Sequence, residues 1–286
     1  MMMDNLAHKA LFTIPEPTYS TELATVKPLP VQRKITGNKQ VDAYLWVLEV
    51  IKTNEPAHLE AAEEALKKLK ITPKAAQQKY SDYLMKSGAH AFQIAFGTMS
   101  MDNPQGYINR AKEQIRKASQ VRGLFGSYEQ ALDDCEAERL MKSSRYYISD
   151  PCFGWTEEEK RKGSISGSRV FEVDDLRKEK GGDFTDVLPE PHTLSDIVRE
   201  LQYWDWLYSV RDSAAKELGW EYGYPQHDDA VYDRENYLEK QLTRIQAVNR
   251  QEAIDVCKWV LSEGRFDDRS DLTDRIILNL VGECAV

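Results

Sequence analysis

The residues best suited to chemistry in this chain of 286 residues lie around Thr72-Pro73, within LKKLKITPKAAQQKYSDYL (66–84). Lysine can bind a phosphate group, and glutamine can form paired hydrogen bonds with the edge of an adenine. Apolar residues at helical spacing predict one helix that stops at Ile71. Thr72 as a cap and Pro73 as a first helical residue predict the start of another. We therefore expect two helices that meet at a corner, the second with a polar outward face.

This order of helix, short turn and polar helix is similar to a known DNA-binding motif. LKITPKAA resembles the turn of helix-turn-helix proteins, over about residues 59–87. The resemblance implies that the second helix contacts DNA while the first lies across the backbone. Lys70 stands where that family usually has glycine, so either Lys70 is left-handed or the turn is of another kind. The alternative is a plain corner of two helices. The predicted nucleic-acid-binding residues are Lys67, Lys68, Lys70, Lys74, Gln77, Gln78, Lys79, Ser81, Arg110, Arg116 and Lys117.

The charge distribution favours a polyanionic partner for the middle of the chain. The whole chain has a net charge of -9, yet residues 67–122 contain eleven Lys and Arg against three acids, a net +8. Residues 186–286 contain 21 acids against 11 bases, a net -10. Such a split suggests a basic surface for nucleic acid and an acidic surface for another partner, although helical proteins also carry charged solvent faces.

A second group of residues suggests a metal-dependent enzyme. His227-Asp228, with His192 upstream and Asp255 downstream, resembles the metal-binding order of HD phosphohydrolases. The resemblance implies a metal-dependent phosphohydrolase. In that family the His-Asp pair lies on a helix, whereas here the preceding Pro-Gln predicts a loop. An acidic loop that caps a helix is therefore the alternative interpretation.

Other combinations of metal-binding residue types are weaker. ALDDCEAER (131–139) has carboxylates at spacings of three and four, which would suit magnesium in an all-α nucleotide pyrophosphatase or simply form a solvated face. The four cysteines stand alone at 135, 152, 257 and 284, without a C-x-x-C pair or a nearby histidine. We expect no zinc site and no cofactor, and we expect Cys135 and Cys257 to be small core residues.

The elements that position these residues are predicted to be helices. Apolar spacings of three and four recur along most of the chain, with caps before them and glycine after them. One run, SRVFEV (168–173), resembles a strand. We predict an all-α fold of two helical lobes joined by a long irregular segment, with an extended N-terminal arm. The predicted parts are a Pro-rich arm (1–35), a basic lobe (36–148), a linker or long loop (149–191) and an acidic lobe (192–286).

An aromatic cluster, YWDWLY (203–208), marks the acidic lobe. Trp204 and Tyr208 fit a buried helical stripe, and Tyr203 and Trp206 project to another side. Because Trp and Tyr dominate binding hot spots, we assign Tyr203 and Trp206 to a protein interface, with a second core layer against the other lobe as the alternative.

Together these patterns favour a non-catalytic DNA-binding accessory or regulatory protein of a phage or plasmid. Its acidic lobe would contact a protein partner or a second copy. The alternatives are a protein-binding inhibitor or adaptor that acts through the acidic lobe, and the phosphohydrolase. The start of the chain has no signal-peptide pattern, and the most apolar run, AYLWVLEVI (43–51), is too short to cross a bilayer. We expect a cytoplasmic protein with no membrane partner.

Overall fold

The structure, a computed structural model, describes residues 4–20 and 28–282. Every regular element in these residues is helical, which confirms the predicted all-α class. None of the described helices is both long and apolar enough to cross a membrane. The α-helices are α1 (Leu6–Leu11), α2 (Lys39–Ile51), α3 (Pro56–Lys68), α4 (Pro73–Lys86), α5 (Ala91–Thr98), α6 (Pro104–Phe125), α7 (Tyr128–Ala131), α8 (Glu136–Ser143), α9 (Glu157–Lys162), α10 (Ser168–Lys180), α11 (Leu194–Glu217), α12 (Asp229–Leu242), α13 (Arg250–Ser262) and α14 (Ser270–Leu280), with 3₁₀ turns at Met99–Met101 and Gly264–Phe266.

The chain forms two compact units, which we call the central unit and the terminal unit. The central unit is Pro17–Tyr128. The terminal unit combines Met1–Glu16 with Glu129–Val286. This division differs from the predicted one, because the N-terminal residues belong with the C-terminal half and the boundary falls near residue 128 rather than 148.

The central unit is built around α2. This helix is apolar on most sides, and Tyr44, Val47 and Val50 are fully buried. The α3 and α6 helices pack on α2 and on each other, while α4 packs on α2 and on α5. Thr72 caps α4 by accepting a hydrogen bond from the Ala75 N–H at 3.2 Å, as its sequence position predicts. The α2 helix is thus the common support for both helices of the predicted corner.

The terminal unit is built around α11, which packs against α1, α12 and α13. Trp204 on α11 is fully buried in one core cluster, and Leu201 is fully buried in another. Gly219 follows the end of α11 with a φ of +80°, the left-handed conformation that glycine adopts at little cost. The predicted stop at Gly219 is therefore confirmed.

The predicted extended arm contains one helix, α1, whereas residues 13–20 and 28–34 have no helix or strand. Part of that arm, residues 1–3 and 21–27, lies outside the described residues. Asn5 caps α1, and the His8 Nε2 atom lies 2.7 Å from the Glu200 Oε2 atom, with both side chains fully buried. Phe12 is fully buried and its ring lies 5.8 Å from that of Trp204. These contacts with α11 order a segment whose few apolar residues show no periodicity of their own.

The predicted linker also contains more structure than expected. Residues 168–173, which resemble a strand in sequence, begin α10, and α9 precedes it. Thr156 and Glu159 form a reciprocal capping box at the start of α9. After α10, Phe184 and Leu188 are buried in the core of the terminal unit. This segment is therefore part of the folded unit, because two of its apolar side chains fill the core.

Candidate nucleic-acid interface

The corner between α3 and α4 is a four-residue turn held by α2. The backbone N–H of Lys70 donates a hydrogen bond to the Gln40 Oε1 atom at 2.8 Å. Among the described non-glycine residues, positive φ values occur at Asn54 and Phe184, so Lys70 is not left-handed. The turn is therefore of another kind than the glycine-containing turn, and the side chain of Gln40 stabilises it from outside.

The two helices of the corner are connected mainly through α2. The α3 helix packs on α2 and α6, whereas α4 packs on α5, on the 3₁₀ turn Met99–Met101 and on α2. Ala76, the fully buried residue of α4, belongs to the core of the central unit. The first turn of α4 is consequently anchored on its inner side, and its other side is left at the surface.

A small groove, which we call the corner groove, opens where α2 and α4 both begin. It measures about 370 Å³.

 The corner groove is lined by Asn38, Gln40, Lys70, Ile71, Thr72, Ala75 and Lys79. No carboxylate is among these lining residues. The N-terminus of a helix carries a partial positive charge, so two helix starts and two lysines give the corner groove a positive potential.

Four lysines at the corner have no acidic partner among the residues that the structure describes. Lys68, Lys70, Lys74 and Lys79 are exposed, and in the part of the chain that the structure describes no carboxylate lies within ion-pair distance of them. We call these four residues the lysine corner. By contrast, the Lys67 Nζ atom lies 2.8 Å from the Glu64 Oε1 atom. The positive charge of Lys67 is thus compensated, and that of the lysine corner is not.

The glutamines and the serine of α4 do not share one free face. Gln77 is half-buried, and its amide Nε2 donates to the Thr98 carbonyl oxygen at 3.1 Å. Gln78 is exposed, and its amide donates to the Asp82 Oδ1 atom at 2.9 Å. Ser81 is half-buried. The outward polar face expected from the sequence therefore lacks Gln77, whose amide nitrogen is used in packing α4 against the end of α5.

The predicted basic residues of α6 are more compensated than the lysine corner. The Arg116 guanidinium donates to both carboxylate oxygens of Glu113, at 2.7 and 2.6 Å, and to the Tyr19 hydroxyl at 2.9 Å. The Arg110 guanidinium lies 5.4 Å from the centre of the Tyr107 ring. Lys117 is exposed. The α6 surface is basic, but one of its three predicted contacts is already a bidentate ion pair.

The four residues of the predicted phosphohydrolase site have separate structural roles. His227 is buried, its Nε2 atom lies 3.0 Å from the Trp204 carbonyl oxygen, and burial lowers the pKa of its imidazole. Asp228 caps α12. Asp255 is exposed on α13, and His192 is exposed before α11. Within residues 4–20 and 28–282, no three His, Cys, Asp or Glu side chains are grouped so that they could bind a metal ion.

The carboxylates of residues 131–139 also differ from a simple solvated face. Glu138 is buried, and its two oxygens each lie 2.6 Å from a nitrogen of the Arg211 guanidinium. Burial acts to raise the pKa of Glu138, but Arg211 outweighs burial and the pKa lies below its usual value. Asp134 pairs with Lys142 at 2.6 Å. Burial also raises the pKa of the neighbouring Cys135 thiol to about 11.

Tyr203 and Trp206 pack against their own unit. Both are half-buried next to the core cluster that contains Trp204. The Tyr203 ring lies 5.6 Å from Phe12 and 5.5 Å from Trp206. These contacts lie within the terminal unit, and they leave only part of either side chain available to a partner.

A larger groove in the terminal unit, which we call the acidic groove, measures about 800 Å³. Its acidic side chains are Asp205, Glu235 and Glu263, and its lining includes the exposed rings of Tyr208 and Tyr232. Arg265 also lines it and lies 2.8 Å from both Asp205 and Glu235. Two of the three carboxylates are thus paired, and Glu263 has no ion pair among the described residues.

The sequence does not connect α2 with the corner, because Gln40 and Lys70 are thirty residues apart and meet only through tertiary packing. In the structure Asn38 caps α2, which places Gln40 in the first turn of that helix. Comparison with known proteins adds no residues: no family model matches the chain, and no curated protein or solved structure is significantly similar to it.

Proposed function

We propose that the central unit binds the phosphate backbone of duplex DNA through the lysine corner. The observation that supports this is the group of four exposed lysines around the turn between α3 and α4, which have no acidic partner among the described residues. Lysine binds phosphate as a compact point charge, and each phosphate that is neutralised releases counterions. The corner groove would accept one phosphate beside Lys70 and Lys79.

This contact is directed at the backbone more than at the bases. Gln77, the residue best placed in sequence to pair with adenine, has its amide engaged with Thr98. Phosphate contacts position a protein on DNA without selecting a sequence. The proposal is therefore a non-catalytic binding module, as in accessory or regulatory proteins of phages and plasmids, with weak sequence preference.

The test is a salt series of binding to a duplex of mixed sequence. Wild type should bind at low salt, and log K should fall linearly with log salt by about 0.9 for each phosphate contacted. A variant with Lys68, Lys70, Lys74 and Lys79 all changed to Ala should lose most of this slope. Because the four side chains are exposed, the variant should keep its helical circular dichroism and its melting temperature.

The matched control removes four positive charges elsewhere. Lys142, Lys160, Lys162 and Lys178 each form an ion pair within the terminal unit. Changing these four to Ala alters the net charge by the same amount and should leave the salt slope unchanged. Absence of binding at low salt, or an equal loss of slope in both variants, would contradict a contact through the lysine corner.

The acidic groove favours a second function, the binding of a basic protein segment by the terminal unit. Aromatic rings beside carboxylates suit a lysine or arginine side chain, because a cation is attracted by both. An arginine-rich peptide titrated into the protein should bind, and Glu263→Gln should weaken it several-fold. Glu217→Gln, at an exposed position of α11, is the control. Unchanged affinity in Glu263→Gln would contradict the binding of a basic segment in the acidic groove.

A further inference from the structure

One face of α5 exposes large apolar side chains. Phe92 is 73% exposed, Phe96 is 58% exposed and Met99, just beyond the helix, is 67% exposed. The rings of Phe92 and Phe96 lie 4.4 Å apart, so they cover each other only in part. Contiguous exposed apolar groups of this kind mark interaction surfaces.

The fold of the central unit does not require this face. Phe92, Phe96 and Met99 follow one another at spacings of four and three, which places them on one side of the helix axis. The opposite side holds α5 to α4: a Cβ atom at Gly97 would come within 3.2 Å of the Leu84 side chain. We call the outward side, with the exposed Ala95 at its edge, the α5 face.

The charge pattern indicates what can cover the α5 face. Residues 89–101 contain no Asp, Glu, Lys or Arg, although residues 67–122 around them have a net charge of +8. Two copies of the central unit would repel each other over most of that basic stretch. At the α5 face no like charges meet, so a second copy can approach there.

The area available also fits a pair of copies. Phe92, Phe96 and Met99 are each more than half exposed and offer on the order of 400 Å² of apolar surface, since a large side chain buries roughly 150–250 Å². A two-fold pair uses the same patch twice and would bury about 800 Å² through these side chains, which corresponds to a weak, transient interface. We propose that the α5 face joins two copies of this chain in a symmetric, reversible dimer.

The test is the oligomeric state of the full chain in solution. Sedimentation equilibrium at protein concentrations up to about 100 µM covers the micromolar affinities expected of a small interface. Wild type should show a monomer–dimer equilibrium, and Phe92→Ser with Phe96→Ser should weaken it at least tenfold. The control is Phe171→Ser on α10, because Phe171 is 71% exposed and belongs to the other unit.

A second measurement does not depend on removing apolar side chains. Ala95→Cys places a thiol at the edge of the α5 face, and mild oxidation should then cross-link two copies faster than in wild type. A monomeric wild type without this cross-link would overturn the proposal. So would a dimer that survives the double serine change, or one that Phe171→Ser disrupts equally. A monomer that instead binds vesicles through Phe92 and Phe96 would assign the α5 face to a lipid surface.

Discussion

At the scale of single residues, Arg211 of α11 and Glu138 of α8 form a buried ion pair that joins the two helices. Arg211 also donates to the Asp133 carbonyl oxygen at 2.8 Å. We expect Arg211→Met to lower the free energy of unfolding by about 3–5 kcal/mol, because it leaves the Glu138 carboxylate buried without its partner. Urea denaturation measures this loss. Arg139→Met, at an exposed position, should change stability by less than about 0.5 kcal/mol.

The double change Arg211→Met with Glu138→Gln separates the charge from the packing. It should cost less than Arg211→Met alone, because no unpaired carboxylate remains in the core. An equal or larger loss of unfolding free energy in the double variant would show that the unpaired Glu138 carboxylate is not what destabilises Arg211→Met.

Asp233 gives a prediction about pH. Burial raises the pKa of its carboxyl to about 6, although Arg177 lies 2.8 Å away. The unfolded chain has the ordinary pKa of 3.8, so between these values the folded state binds more protons. Stability from this group is therefore present below the lower pKa and is lost as the pH rises through the higher one.

We expect the stability of wild type relative to Asp233→Asn to fall by about 1–3 kcal/mol between about pH 4 and pH 7. Urea denaturation at several pH values measures this difference, and the asparagine variant removes the titration while it keeps the side-chain size. A difference that is constant, or that grows with pH, would contradict the raised pKa.

Individual site residues were predictable where the sequence neighbours decide their exposure. Lys74 and Lys79 are exposed, in keeping with the polar outward face predicted for α4. Gln77 and Glu138 were not, because a carbonyl 21 residues away and a guanidinium 73 residues away bind them. The residues next to a polar side chain in the sequence do not indicate a partner that lies so far along the chain.

At the scale of elements, α1 connects the start of the chain to the terminal unit. Phe12→Ala should lower the free energy of unfolding by about 3–5 kcal/mol, because Phe12 is fully buried and its removal leaves a cavity. Ile14→Ala, two residues later at a side chain 38% exposed, should cost much less. Thermal unfolding distinguishes the two, and equal small losses would show that α1 is not docked.

Elements were predictable where caps and apolar periodicity agree. Thr72 before Pro73 marked α4, and Thr193 marked α11. By contrast, α1 is short and α10 has no buried residue, so neither shows an apolar stripe. In α10, ion pairs between residues four apart, such as Asp174 with Lys178, stabilise the helix. A search for apolar periodicity does not detect them.

At the scale of the whole molecule, the net charge of -9 opposes any general attraction to DNA. Screening limits exposed charges to about 10 Å at 0.1 M salt, so a local basic surface can bind while distant acids contribute little. Binding should therefore depend on the lysine corner and not on the total charge, which is why the control variant keeps the same net charge as the test variant.

Dimerisation and DNA binding should then be coupled, because α4 carries part of the lysine corner and packs on α5. A dimer presents two lysine corners, and a duplex long enough for both gains affinity through effective concentration.

On a duplex of about 30 base pairs, Phe92→Ser with Phe96→Ser should weaken binding at least tenfold. On about 10 base pairs, room for one corner only, affinity should stay within about twofold of wild type. Fluorescence anisotropy on both lengths measures this, with Phe171→Ser as the control. An equal loss on both lengths would mean that the α5 face contacts DNA itself, and no loss on either would mean that each copy binds alone.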